Sequence, residues 1–197
     1  MTSIGAARGA APIGDPVASG AEAAGGHRHA AVAYERTSRG GIAIHIGPLV
    51  TTEVGDLFAL FADVVASGDG YPHAPPLTRQ VFDSTWVEPV TIVVAARIEG
   101  ALAGAYYLKP NFAGKAAHIA NAGYVVDVAH RGKGIGRVLV EDSIWRAAAV
   151  GFDAVQFNLV FESNRARSLY EELGWEVMGR VPAAVNGEDA LIYYRRV

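Results

Sequence analysis

Isoleucines stand at alternate positions between Gly41 and Val50 (Ile42, Ile44 and Ile46), the period of a half-buried strand. Val54, Leu57, Phe58, Phe61, Val64 and Val65 follow at helical spacing, forming the clearest amphipathic helix of the chain. Thr51 or Thr52 is placed to cap that helix, with Glu53 in its first turn. Gly68 to Pro76 reads as a loop carrying Tyr71 and His73. Val90–Ile98 and Ala101–Leu108 are β-rich runs, and Glu99-Gly100 between them predicts a tight hairpin turn. After a turn at Pro110–Lys115, a long strand is expected over His118–Val128. A Gly-rich loop, residues 131 to 136, then runs into a helix that closes near Gly151. Asp153–Val160 reads as a strand. Ser163 or Asn164 can cap a short helix bearing Ala166, Leu169, Tyr170 and Leu173, which Gly174 ends. Strands over Trp175–Val181 and Ala190–Val197 complete the pattern. The order is β-α-(α)-β-β-β-α-β-α-β-β, which predicts one α+β (α/β three-layer) domain with a mixed sheet of about 6–7 strands and helices on both faces.

Met1 to about Arg39 reads differently. It is rich in Ala and Gly, holds Pro12 and Pro16, and has almost no large apolar residue. A flexible tail over 1–39 before a folded unit over 40–197 is the expectation, unless packing on its own domain or on a neighbouring subunit orders it. It lacks the apolar core of a signal peptide, and no stretch approaches the ~20 apolar residues of a membrane span. The 197 residues are 51% hydrophobic and 19% charged, enough for a sizeable core. With a formal net charge of -3 and no long basic run, duplex nucleic acid is not expected as a partner. Cysteine is absent, which excludes disulfides, thiolate metal sites and a covalent Cys intermediate, and fits a reducing compartment, here the cytoplasm. His27, His29, His45, His73 and His130 show no metal-ligand spacing, so no metal is expected.

The chemistry concentrates at Arg131-Gly132-Lys133-Gly134-Ile135-Gly136-Arg137. Between a strand and a helix, such a loop converges backbone N–H groups on one point, and the helix dipole adds about half a positive charge there. A pyrophosphate fits without side-chain contacts, because the glycines bring no Cβ to hold it off. Arg131, Lys133 and Arg137 add cationic reach. A dinucleotide fingerprint beginning at Gly132 would need glycine where Arg137 stands, and a nucleotide P-loop would need Ser or Thr where Gly134 stands. A tight turn without ligand explains the loop equally well on its own.

Arg131-x-x-Gly134-x-Gly136 resembles the acetyl-CoA signature of the GCN5-related N-acetyltransferases (GNAT superfamily). Asn164-x-Ala166-x-x-Leu169-Tyr170-Glu171-Glu172-Leu173-Gly174-Trp175 is similar to that superfamily's second segment. The resemblance covers about residues 40–197. A narrower similarity, to fungal proline-analogue (azetidine-2-carboxylate) N-acetyltransferases, lies in 118–124, 157–164 and 189–193. What this implies is acetyl-CoA as co-substrate and a small-molecule amine as acceptor, attacking the thioester directly in a ternary complex. Dimers are common in that superfamily, and a homodimer is expected here. By the resemblance, Val126 and Val128 offer backbone groups to pantetheine in a gap between splayed strands. The 131–137 loop holds the pyrophosphate, Asn164 bonds the pantetheine arm or the acetyl region, and Tyr170 protonates the departing thiolate. The proline-analogue branch often carries Trp where this chain has Tyr170, which puts that acid role in question. Asn121 and Asn158 are the candidates for orienting an amino-acid-like acceptor, or else they satisfy the sheet. For the base, His118 has the best intrinsic pKa, with Asp127, Glu162 or a water chain as alternatives. Tyr71 and His73 sit in the loop where the superfamily often covers the acceptor pocket, and an ordinary surface loop explains them equally well. Another acyl group, a non-catalytic acyl-CoA sensor, and acetylation of protein amines are the rival functions.

Overall fold

The computed structural model of the chain describes residues 31–68, 70–88 and 90–197. The alternating isoleucines form β2 (Ala43–Pro48), with Ile44 and Ile46 fully buried. β2 pairs antiparallel with a strand the hydrophobic pattern did not announce, β1 (Tyr34–Thr37), in which Tyr34 lies opposite Ile46. Next come α1 (Val54–Ser67), α2 (Arg79–Trp86), the hairpin β3 (Ile92–Ile98) and β4 (Ala101–Pro110), and β5 (Ile119–Val126). The chain continues through α3 (Ile135–Ala149), β6 (Ala154–Phe161), α4 (Arg167–Glu172), β7 (Glu176–Val185) and β8 (Glu188–Arg196). Among the described residues the sheet has eight strands in the order β1-β2-β3-β4-β5-β6-β8-β7. Every neighbouring pair is antiparallel except β5–β6, whose crossover is α3. The mixed α+β architecture expected from the sequence is therefore present, with one strand more.

Local sequence explains the elements. Glu53 Oε2 accepts from Val50 N–H (3.0 Å), so a 3-10 turn over Thr51–Glu53, rather than a threonine cap, leads into α1. Thr78 caps α2, its hydroxyl accepting from Val81 N–H (3.3 Å), and α2 then buries Phe82 and Trp86. Glu99 and Gly100 both take positive φ (51° and 83°), turning β3 into β4 in two residues. β4 is buried from Ala103 to Leu108 because both faces are covered. Tyr106 and Leu108 face α3, while Ala105 and Tyr107 join the core under α1 and α2. No helix among the described residues is long and apolar enough to cross a membrane.

The domain boundary expected at residue 40 needs correcting: β1 lies inside the stretch assigned to the tail, and residues 1–30 of that stretch lie outside the described residues. The reason is tertiary. Asp142 and Arg146 on α3 are both fully buried and bonded to each other (2.8 Å). Asp142 also accepts from Tyr34 Oη (2.5 Å) and Tyr106 Oη (2.6 Å), and Arg146 donates to the Val32 carbonyl (2.8 Å). A buried ion pair is tolerable only when its remaining polar atoms are satisfied, and the 32–34 segment supplies two of those bonds.

Candidate active site

The sheet opens at its parallel pair. β5 and β6 pair only over Ile119–Asn121 against Ala154–Gln156, and beyond Asn121 the strands part. Asp127 N–H bonds the Ala103 carbonyl on the β4 side (3.0 Å), so by antiparallel alternation the backbone groups of Tyr124 and Val126 point away from β4 into the opening. The Tyr124 carbonyl there accepts from Tyr71 Oη (3.2 Å). Val126 N–H has no partner among the described residues. A cavity of about 650 Å³ fills the gap, lined by β5, β6, the 70–73 loop, the start of α3 and the start of α4.

At the start of α3 no side chain caps the helix, and the first N–H to bond back is that of Val138, to the Gly134 carbonyl (3.2 Å). The N–H groups of Ile135, Gly136 and Arg137 are therefore without helical acceptors, the condition for holding an anion. Gly134 has φ 84° and a Cβ there would stand 3.2 Å from Ser38 Cβ, so the β1–β2 turn braces the loop from behind. Arg131, Gly132 and Gly136 line the cavity; Lys133, Gly134, Ile135 and Arg137 do not. Ile135 is buried in the core. Arg137, expected to reach toward phosphate, is instead engaged by Glu172 and by Glu141 (3.5 Å), which ties the start of α3 to the end of α4.

Val128 departs from expectation. β5 ends at Val126, and Asp127 accepts from Ala129 N–H (2.9 Å), folding Val128–His130 into a 3-10 turn. The Val128 carbonyl is taken by Arg131 N–H (3.3 Å) and its side chain points outward, 61% exposed. The residue does not line the cavity, and of the backbone groups expected at the pantetheine its carbonyl is engaged within the turn.

Tyr170 is 7% exposed and lines the cavity, its ring 4.8 Å from Phe157 and 5.8 Å from Tyr193. Its hydroxyl makes no hydrogen bond among the described residues. Burial, then the neighbouring Tyr193, pushes its pKa well above the ordinary phenol value of 10.0, so it stays protonated. Asn164 lines the same end. Its Oδ1 accepts from Ala166 N–H (2.8 Å), one turn ahead of α4, and a Cβ on Gly70 would come 3.7 Å from its Nδ2.

The two acceptor-side amides also line the cavity but are engaged by protein groups. Asn121 accepts from Tyr107 Oη (3.2 Å) and donates to the Gln156 carbonyl (3.0 Å), sealing the last rung before the strands part. Asn158 exchanges two bonds with Asn111 (2.7 and 3.2 Å) and accepts from Gln156 (2.9 Å), but stays exposed where a bulge in β6 turns it outward. None of the base candidates His118, Asp127 and Glu162 reaches the cavity. His118 faces the Lys115 carbonyl (3.0 Å), Asp127 holds its 3-10 turn, and Glu162 pairs with Arg180 (2.5 Å).

Sequence reading missed the aromatic lining. Phe157 stacks on Trp175 (3.9 Å) and meets Tyr124 edge-on (5.7 Å), forming the floor of the gap. Tyr71 and Tyr107 close its other end. The resemblance places Tyr71 near the acceptor pocket, while Phe157, Tyr124 and Tyr107 read only as strand residues; the one further signal was Gly123, where a Cβ would meet Tyr71 Oη at 2.6 Å and the Tyr107 ring at 2.7 Å.

The site is thus an open mixed sheet split at one parallel pair, with an uncapped helix start facing the split. Residues 60–175 match the Acetyltransferase (GNAT) family, and the chain belongs to that family. It is 41% identical over 99 residues to N-acetyltransferase aca1 of Schizosaccharomyces pombe, a match covering 47% of each protein. The chain thus spans about half the length of that relative. A GCN5-related N-acetyltransferase from Kribbella flavida superposes with TM-score 0.73 at 30% identity, covering 78% of this chain and 98% of that one. At 20% identity, a phosphinothricin acetyltransferase from Sinorhizobium meliloti, solved in complex with AcCoA, shares the fold (TM-score 0.67, covering 77% and 87%).

Proposed function

We propose that the chain is an acetyl-CoA-dependent N-acetyltransferase whose acceptor is a small-molecule amine, of the cyclic amino-acid or proline-analogue kind. One observation carries this reading: β5 parts from β6 directly after Asn121, and the parted edge, the uncapped start of α3 and the unbonded Tyr170 hydroxyl all border one cavity. The N–H groups at Gly132–Arg137 would hold the diphosphate, and Asn164 Nδ2 the pantetheine arm. Val126 N–H would polarise the thioester carbonyl as an oxyanion donor. The amine attacks within a ternary complex: the new C–N bond forms, the C–S bond breaks, and Tyr170 gives its proton to the thiolate. Asn158 would turn from Asn111 toward the acceptor, while Asn121 keeps the split in register. Coverage of the acceptor end by Tyr71 and the 70–73 loop favours a small acceptor over a protein tail.

The test is thiol release from acetyl-CoA in the presence of a panel of amines and imino acids, including proline and azetidine-2-carboxylate, beside calorimetric titration with CoA. Release that depends on a small acceptor is the expected result. Binding of CoA with no release for any amine would make the chain a binding module, and faster release with peptides would move the acceptor to protein.

A further inference from the structure

Attack requires a neutral amine, and an aliphatic amine arrives as its ammonium near neutral pH, so some group must remove a proton. Among the described residues no Asp or Glu lines the cavity. Its cations, Arg131 and Arg165, cannot accept a proton. Its tyrosines, Tyr71, Tyr107, Tyr124 and Tyr170, are all pushed upward, chiefly by burial, and stay protonated. Among the described lining side chains one basic nitrogen is left to take a proton at neutral pH, that of His73.

The geometry around His73 selects the nitrogen. Thr85 Oγ1 donates to the Val81 carbonyl (2.7 Å), so toward His73 Nε2, 3.4 Å away, it serves as acceptor, and the proton belongs on Nε2. Nδ1 then carries the lone pair, and it is a buried atom with no partner. A buried, unpaired acceptor is costly unless something fills it; the His73 side chain borders the cavity, with Nδ1 shielded from it by the surrounding side chains. Trp86 Nε1 in the same core is also unpartnered, but an indole N–H cannot take a proton.

We infer that His73 Nδ1 is the proton acceptor for the incoming ammonium, exposed to it by a shift of the 70–73 loop as the acceptor binds; this rests on the transferase reading above. The proton balance closes. His73 takes the first proton and the neutral amine attacks. As the C–S bond breaks, Tyr170 protonates the thiolate and is reprotonated by the nitrogen of the new amide. His73 returns its proton to solvent after the product leaves. The surroundings suit the role. α1 presents Phe61 edge-on (5.4 Å), α2 presents Thr85, the loop presents Tyr71 (5.8 Å between rings), and β4 presents Lys109 as the charged neighbour. Burial first, and Lys109 second, lower the His73 pKa below the ordinary 6.5, so the ring is neutral and ready at neutral pH.

Long-range proton–nitrogen spectra of the CoA-bound chain should show His73 neutral at neutral pH with its proton on Nε2. Steady-state kinetics with acetyl-CoA and azetidine-2-carboxylate, proline or benzylamine follow. For wild type, kcat/KM for the amine should fall at low pH with the His73 ionisation seen in the spectra. His73→Gln should lose about 10²–10⁴-fold in kcat, lack that acid limb, and keep its CoA affinity and unfolding midpoint. A proton on Nδ1, or His73→Gln within about threefold of wild type, overturns the inference alone. Loss of CoA binding or of the fold in both His73→Gln and His73→Asn makes the residue structural and also overturns it. A wild-type chain inert toward all three amines overturns the transferase reading together with it.

Discussion

Gly123→Ala tests how the acceptor end is closed. The added Cβ would stand 2.6 Å from Tyr71 Oη and 2.7 and 2.8 Å from two Tyr107 ring carbons. Tyr107 has nowhere to go: it is 6% exposed, sits edge-on to Trp86 at 5.1 Å, and is bonded to Asn121. Tyr71 must therefore give way, breaking its bond to the Tyr124 carbonyl. Overpacking of this kind costs about 1–3 kcal/mol, and the lost hydrogen bond adds about 1 kcal/mol. The sum, about 2–4 kcal/mol, corresponds to a fall in unfolding midpoint of about 4–16 °C for a chain of this size. Because the 70–73 loop is displaced while the start of α3 is untouched, KM for the acceptor should rise with CoA affinity within about twofold. The assays are thermal unfolding, CoA titration, and acceptor kinetics. Tyr71→Phe in the Gly123→Ala background removes the closest clashing atom, so the two changes should be non-additive, the double variant regaining part of the loss. An unchanged midpoint and acceptor KM in Gly123→Ala would refute the reasoning.

Tyr170→Phe should lower kcat by on the order of 10²-fold while leaving CoA affinity near wild type, measured by steady-state kinetics beside titration; full turnover would remove the acid role. Asp142→Ala removes the buried carboxylate that pairs with Arg146 and should cost about 3–5 kcal/mol in denaturant unfolding, with a loss below 1 kcal/mol arguing against the buried pair. Glu53 is held below its ordinary carboxyl value of 4.5, first by hydrogen bonding from Arg97. A depressed folded pKa means the stabilisation is complete above the unfolded value and disappears as pH falls through the folded one. Glu53→Gln should accordingly lie below wild type in stability near neutral pH and converge with it in acid, and parallel stability–pH curves would contradict this.

The short-range features were legible in the sequence because their causes are local. Alternating isoleucines give β2, the 3.6-residue stripe gives α1, Glu99-Gly100 gives the hairpin, and a run of glycines ahead of Ile135 gives an uncapped helix start facing a strand end. Two motifs at their own places, 131–136 and 164–175, were enough to point to the family. α2 had only its threonine cap and two aromatics to mark it, and β1 had four residues beside an Ala- and Gly-rich stretch.

What only the tertiary structure decided are relations between residues far apart in the chain. The edge strand β1 exists because a buried ion pair on α3 needs the Tyr34 hydroxyl and the Val32 carbonyl, 108 and 114 positions away. Arg137 looks free in the sequence and is taken by Glu172 through the end of α4. Val128 looks like more strand and is folded away by its neighbour's carboxylate. The aromatic floor, the committed amide of Asn121, and a lone histidine nitrogen left unpaired beneath a loop arise only where separate strands part. Periodicity reports which face of an element is buried; it does not report what that face meets.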